Sequence, residues 1–285
     1  MTYAEQSVSF ACGQETLVGI LAVPGAPAST CVIVIVGGPQ YRAGSHRQFV
    51  LLSRTLAAAG YAVLRFDYRG MGDSSGTQRD FTTVSDDIAA AINAMQQLLP
   101  SVRRVTLWGL CDGASAALLY CLETRDVRVS GLCLLNPWVR SETSLARAHV
   151  KHYYLRRLRQ KEFWVKLLSG KVAMAALGGL WRNVRLMANA PDSPLAVQQL
   201  PFQQRMALAW DRFSGNILLV LSADDYTAKE FLEYARMDAA WSGLLELPKL
   251  VICTIPAADH TFSGATSRTQ AERVTLDWLQ AQPIA

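Results

Sequence analysis

The nine residues Leu107-Trp108-Gly109-Leu110-Cys111-Asp112-Gly113-Ala114-Ser115 decide how this chain is read. Before them, Val102 to Leu110 is a short run of β-branched and large apolar residues bounded by Pro100, which is the pattern of a buried strand. After them, Ala114 to Glu123 is apolar at helical spacing. Between the two lies GxCxG, the nucleophile-elbow pattern GxSxG with cysteine in the serine place. A nucleophile held on so sharp a turn takes a strained backbone angle, and the positions two before and two after it must be small where strand and helix nearly collide. Gly109 and Gly113 supply that room. A glycine-rich turn around a buried cysteine fits the same letters, so the surroundings must carry the argument.

Working toward the N-terminus, Tyr61 to Phe66 and Cys31 to Val36 are continuous apolar runs, the mark of strands covered on both faces. The first ends in Asp67-Tyr68-Arg69-Gly70-Met71-Gly72-Asp73-Ser74, the second in the irregular loop Gly37 to Gly44. His46 to Ala59, capped by Ser45 and stopped by Gly60, and Thr82 to Leu99 are expected to be helices. Ser7 to Cys12 and Thr16 to Val23 read as an opening antiparallel hairpin around Gly13-Gln14. Toward the C-terminus, a strand from Val129 to Leu135 ends at Asn136-Pro137-Trp138. The rhythm resumes with a strand at Ile217 to Leu221, a helix from Ala228 to about Leu245, a strand at Leu250 to Ile255 and a helix from Arg268 to Gln280.

Alternating strands and helices predict an α/β fold whose sheet of eight strands is mostly parallel and carries helices on both faces. Residues 1–136 and 214–285 would form the two parts of one core, and 137–213, without a convincing strand, a helical lid inserted over the carboxyl edge of the sheet. A length of 285 residues suits one large domain. No apolar run reaches the roughly 18 residues that span a bilayer, and Met-Thr-Tyr-Ala-Glu-Gln does not resemble a signal peptide, so a cytoplasmic location is expected. The six cysteines show no CxxC pair, and neither a disulfide framework nor a metal site nor a cofactor is expected. Cys12, Cys31, Cys121, Cys133 and Cys253 read as core residues.

In an open parallel sheet, reactive groups collect in the loops past the carboxyl ends of the strands. Cys111 caps one strand, Asp224-Asp225 follow the strand ending at Leu221, and His260 follows the strand ending at Ile255. The order nucleophile, acid, histidine is the one such sheets use. His260 is the candidate general base, since His46, His149 and His152 fall at a helix start or in the basic insertion. Asp225 is favoured to orient the imidazole, with Asp224 as a turn residue. An oxyanion hole needs two donors: the Asp112 backbone N–H at the head of the elbow helix, and one from the Gly37 to Gly44 loop. Pro39 has no N–H, which leaves Gln40 first and Gly38 next. The Asp112 carboxylate beside the nucleophile needs solvent or a basic partner, for which Arg42 is the candidate.

At these residues the sequence resembles the α/β-hydrolase superfamily, carried by the elbow, by Arg65-Phe66-Asp67-Tyr68-Arg69-Gly70-Met71-Gly72-Asp73-Ser74, and by the late Asp and His. The cysteine nucleophile is similar to that of dienelactone hydrolases. A closer resemblance, to the exosortase A-associated hydrolases of the first type that accompany bacterial exopolysaccharide and protein-sorting clusters, spans nearly the whole chain. It is carried by Gly38-Pro39-Gln40-Tyr41-Arg42, Gly44-Ser45-His46-Arg47, Leu110-Cys111-Asp112-Gly113-Ala114-Ser115, His152-Tyr153-Tyr154-Leu155-Arg156-Arg157-Leu158 and Leu221-Ser222-Ala223-Asp224-Asp225-Tyr226-Thr227-Ala228. The resemblance implies a cysteine-centred site, with Cys111 and, by position, Asp225; Arg42 and Asp73 stand as accessory candidates beside Asp224.

The net charge of +5 is unevenly placed. From Arg140 to Arg185 there are eleven Lys or Arg against two Glu, so the remainder is slightly acidic. Aromatic residues interleave with this charge between Lys151 and Lys171, and Ala173 to Trp181 is apolar. One reading is an amphipathic lid over the cleft; the other is a surface for an anionic membrane, a lipid-linked carrier or an acidic polysaccharide, at the inner membrane face. No nucleic-acid-binding motif accompanies the charge. The function expected is acyl hydrolysis of an ester or thioester, with acyl transfer to a sugar or lipid and a non-catalytic scaffold as alternatives.

Overall fold

The computed structural model describes residues 2–38, 40–140 and 194–282. Eight strands form one sheet in the order β1-β2-β4-β3-β5-β6-β7-β8. β1 (Tyr3–Cys12) and β2 (Glu15–Pro24) make the expected antiparallel hairpin, and β2 pairs antiparallel with β4 (Val63–Phe66). From β4 onward all pairings are parallel, through β3 (Thr30–Ile35), β5 (Arg104–Leu110), β6 (Val129–Leu135), β7 (Asn216–Ser222) and β8 (Leu250–Ile255). This is the α/β-hydrolase fold. β3 to β7 lie between helical layers, and their side chains are almost wholly buried, as their unbroken apolar runs require. β8 is the last strand, and there Val251 and Ile252 are exposed.

The described helices are α1 (Gln48–Ala58), α2 (Ser85–Leu98), α3 (Asp112–Thr124), α4 (Pro194–Gln198), α5 (Phe202–Arg212), α6 (Tyr226–Met237) and α7 (Ala265–Gln280). α7 starts three residues before the expected Arg268, and three other helices differ from the sequence reading for local reasons. His46 and Arg47 take left-handed backbone angles (φ 53 and 60), so a short 3-10 turn precedes α1. Ser45 does not cap it; its N–H donates to the Gln40 Oε1 at 3.0 Å. α2 starts late because Asp80 caps a separate turn, accepting from the Thr82 N–H. α6 stops eight residues early: the Asp238 carboxylate takes the Ala240 N–H and the Tyr234 hydroxyl, starting a new 3-10 turn where the apolar pattern alone continues a helix.

Much of the expected lid, 141–193, lies outside the described residues. Its carboxyl-terminal part is α5, whose Met206, Ala207, Ala209 and Trp210 are buried. Trp210 packs edge-on to Trp241 (ring centroids 5.4 Å apart), and Trp241 meets Phe231 at 5.3 Å. The two indole N–H groups donate to the Leu244 and Gln203 carbonyls, so this aromatic knot carries no unsatisfied donor. Across the sheet, the Trp108 indole donates to the Thr275 hydroxyl at 3.2 Å and ties the elbow strand to α7. No helix among the described residues is long and apolar enough to cross a membrane.

Candidate active site

Cys111 stands between β5 and α3 with φ 61 and ψ −127, a conformation that costs a non-glycine residue about 1–3 kcal/mol and persists only where its surroundings enforce it. Here they do. The Cys111 N–H donates to the Leu135 carbonyl at 2.9 Å, and the Cys111 carbonyl accepts from the Trp138 N–H at 3.2 Å. Ser115 Oγ donates to the Trp138 carbonyl, joining α3 to the same loop. A Cβ on Gly109 would lie 2.5 Å from the Gly113 backbone, which is the expected collision of strand with helix. Gly113 is small for a different reason, because its Cβ would sit 2.4 Å from the Ile35 carbonyl at the end of β3.

Asp225 and His260 follow β7 and β8. The His260 Nδ1 lies 2.8 Å from the Asp225 Oδ2. Asp225 also caps α6, accepting from the Thr227 and Ala228 N–H groups, so its carboxylate is fixed by the helix it opens. Those bonds and the imidazole hold it below the usual carboxylate range despite burial. Asp224 faces solvent, and its N–H donates to the Ala258 carbonyl; it is the turn residue of the pair. The His260 pKa is pushed up to about 10, first by Asp225 and next by a hydrogen bond with the Cys111 side chain. The structure thus brings Cys111, His260 and Asp225 together from three separate strand ends.

Asn136 is a residue that the sequence reading mentioned only as a strand end. It is fully buried, with φ 43, and its Nδ2 donates to Ser222 Oγ and to the His260 carbonyl. Its Oδ1 accepts the Ser222 N–H at 2.8 Å. One amide therefore locks the ends of β6 and β7 to the histidine loop. The Asn-Pro pair after a buried strand was the available signal.

The loop after β3 departs from expectation. Arg42 does not pair with Asp112. Its guanidinium is bound by Asp67 and Asp73, and its N–H donates to Asp67 at 2.7 Å, so it clamps the loops after β3 and β4 together. Asp67 is fully buried and Gly72 must lack a side chain to pass it, which makes this pairing part of the fold. Asp112 instead folds back: its Oδ1 accepts the Gly38 N–H at 2.5 Å. Gly38, with φ 62, is the loop residue whose N–H meets the elbow, and the Gln40 side chain braces the loop through Ser45. Among the other cysteines, burial pushes the thiols of Cys31 and Cys133 up to about 12, which leaves them inert packing groups.

A mostly parallel eight-stranded sheet with an acute turn after its fifth strand and a carboxylate and imidazole past the last two defines an α/β hydrolase. More narrowly, the chain belongs to the Hydrolase_4 family, described as serine aminopeptidase S33, whose model matches residues 29–201. It is 32% identical to human protein ABHD12B over 118 residues, covering 39% of this chain and 31% of that one. It is 31% identical to the lysophosphatidylserine lipase ABHD12 of Danio rerio over 109 residues, covering 38% and 28%. The chain thus spans about a third of the length of these curated relatives. The esterase Pf2001 of Pyrococcus furiosus is similar in fold, with a TM-score of 0.64 at 16% identity over 98% of this chain and 92% of that one.

Proposed function

We propose that this protein is an acyl hydrolase that cleaves an ester or thioester through a cysteine nucleophile. The observation that carries the reading is the His260 imidazole, bonded to Asp225 at 2.8 Å and influenced by the Cys111 side chain beside it, while the backbone holds Cys111 at a strained elbow. Asp225 fixes the tautomer and supports the imidazolium. In that arrangement the thiol proton passes to His260 and the sulfur attacks the acyl carbonyl, the C–S bond forming as the carbonyl π pair moves to oxygen. Backbone N–H groups at the elbow and in the β3 loop receive that oxyanion, among them those of Asp112 and of Gly38 or Gln40. Collapse breaks the bond to the leaving oxygen or sulfur, which takes the His260 proton. Water, deprotonated by His260, then attacks the thioester and releases the acid and the thiol.

Family membership and the lipase relative from zebrafish support ester cleavage as the class of reaction. The resemblance to exosortase A-associated hydrolases supports a place beside bacterial exopolysaccharide export, with a lipid-linked or polysaccharide acyl ester as substrate and the basic segment as the contact with an anionic partner. The test is intact-protein mass spectrometry of wild type and Cys111→Ala mixed with activated esters and acyl thioesters and sampled early. An acyl adduct on wild type that is absent from the variant is expected. Turnover that survives Cys111→Ala would overturn the cysteine nucleophile.

A further inference from the structure

The segment that leaves β6, Asn136 to Arg140, has no regular structure, yet each of its residues is fixed. Asn136 is fully buried and held by its amide, and the Pro137 ring locks the next φ. The Trp138 N–H donates to the Cys111 carbonyl at 3.2 Å, and the Trp138 carbonyl accepts from Ser115 Oγ at 2.7 Å. The Val139 carbonyl accepts from Nε2 of the buried Gln203 at 3.0 Å, which ties the segment to α5. Arg140 donates twice to one Glu230 oxygen on α6, at 3.1 and 2.6 Å. The same guanidinium lies over the Trp138 ring, 4.9 Å from its centroid. Pro137 and Val139 are buried, whereas the Trp138 side chain between them is only half-buried. A half-open indole is thus clamped on one face by an anchored cation and tied through its backbone to the nucleophile's own peptide.

The faces of the sheet decide which part of a substrate meets this ring. Gly109 faces α3, since a Cβ there would meet the Gly113 backbone, and Trp108, one residue earlier, faces α7 and bonds to Thr275. α3 and α7 therefore cover opposite faces. Trp138 is bonded to the first turn of α3 through Ser115, while His260 stands in the loop that leads into α7. β3 and β6 flank β5 on its two sides. With the carbonyl oxygen turned to the β3 loop and the leaving atom turned to His260, the acyl chain is the substituent left to run over the head of α3 toward the segment after β6.

We infer that Trp138 is a specificity-determining residue: its indole is the fixed wall on the acyl side of the cleft and confines the enzyme to short acyl groups. The inference rests on the acyl-hydrolase reading above. A ring whose own backbone N–H is bonded to the nucleophile's carbonyl leaves little depth between sulfur and wall. Each methylene beyond that depth must push the ring aside or bend out of the cleft. A free tryptophan could swing away, but this one has Arg140 on its face, and Arg140 is held by Glu230. Glu230 is then a positioning residue that acts through Arg140 without touching the substrate.

The test measures kcat/KM for acetyl, butanoyl and octanoyl thioesters of one thiol on wild type, Trp138→Ala, Trp138→Phe and Glu230→Ala. The octanoyl-to-acetyl ratio is read within each protein, because a general loss at the elbow does not move it. Wild type is expected to favour acetyl by about tenfold or more, and Trp138→Ala to raise the octanoyl share by about the same factor. Trp138→Phe should raise it less. Glu230→Ala should also raise it, by roughly threefold, as the ring loses its clamp, and Glu230→Gln should restore part of the wild-type ratio. If Trp138→Ala does not fold, Trp138→Phe and Glu230→Ala decide by the same ratio. A wild type that takes octanoyl as readily as acetyl, or a ratio that stays put in the Trp138 variants, would overturn the inference and leave the hydrolase reading standing. Equal loss at every chain length would make Trp138 a strut for the elbow and overturn it as well. Absence of Cys111-dependent turnover at every chain length, in wild type and Trp138→Ala alike, would overturn the hydrolase reading and the wall with it.

Discussion

Asp225 does two jobs with one carboxylate, and substitutions can separate them. It caps α6 through the Thr227 and Ala228 N–H groups and holds the His260 imidazole at 2.8 Å. Asp225→Asn keeps an acceptor for the cap but loses the charge, so kcat should fall on the order of 10³-fold, and the unfolding free energy should fall only by what the charged pairing with His260 contributes. Asp225→Ala should lose about 1 kcal/mol more, the cost of the missing cap; urea unfolding beside steady-state kinetics checks both. The pH dependence follows from His260. Its folded pKa, about 10, stands above the ordinary 6.5, so the stability it contributes is complete below pH 6.5 and is lost as pH rises through 10. Asp225 shifts the other way: its share is present above the ordinary carboxylate pKa and lost as pH falls through its lowered folded value. The stability advantage of wild type over His260→Ala should therefore shrink steadily between pH 6.5 and 10. An advantage that stayed constant over this range would mean that the imidazole is not held as a cation.

At the scale of elements, the elbow depends on three strands meeting at one point. β5 delivers Cys111, β6 accepts its N–H through Leu135, and β3 ends with the Ile35 carbonyl 2.4 Å from where a Gly113 Cβ would be. A backbone carbonyl cannot swing aside as a side chain can. Gly113→Ala should therefore cost about 1–3 kcal/mol and displace α3 from β3, with acylation of Cys111 slowed beyond what the stability loss explains. Denaturant unfolding and adduct formation by mass spectrometry would show this, whereas Gly13→Ala, at a turn with nothing near its Cβ, should leave acylation alone. The clamp of Arg42 on Asp67 and Asp73 belongs to the same scale, since it sets the β3 loop against the β4 loop before any substrate arrives.

The whole molecule is a sheet with two unlike margins. β1 is a long strand with a largely exposed face, rich in polar side chains. β8, at the other margin, exposes Val251 and Ile252 and carries no charge within Leu250–Ile255. Lys249, the residue placed to guard it, instead turns its ammonium onto the Asp211 and Phe213 carbonyls. Uncharged apolar edges invite pairing between chains. Ile252→Lys should change the unfolding free energy by no more than about 0.5 kcal/mol while raising the concentration at which the protein stays monodisperse in light scattering. A variant that aggregates as readily as wild type would show that this edge is already covered.

Much of this architecture was legible because its signals are local. Burial on both faces writes continuous apolar runs, an acute strand-to-helix turn writes paired glycines, and a parallel sheet writes alternation, so the eight strands and the positions of Cys111, Asp225 and His260 past their strand ends could be read from spacing alone. Helix ends were less legible where a side chain overrode the pattern, as Asp238 does in stopping α6 and as His46 and Arg47 do in delaying α1. The strand order, with β4 between β2 and β3, was decided by crossover packing and leaves no local mark. Only the tertiary structure decided which polar groups meet: Asn136 with the His260 carbonyl across 124 residues, and Asp112 with Gly38 across 74, where the sequence had offered Arg42. Periodicity is a property of neighbours along the chain and survives in the letters. A hydrogen bond between distant loops depends on where the folded backbone turns each donor, and that is fixed only once the sheet has assembled.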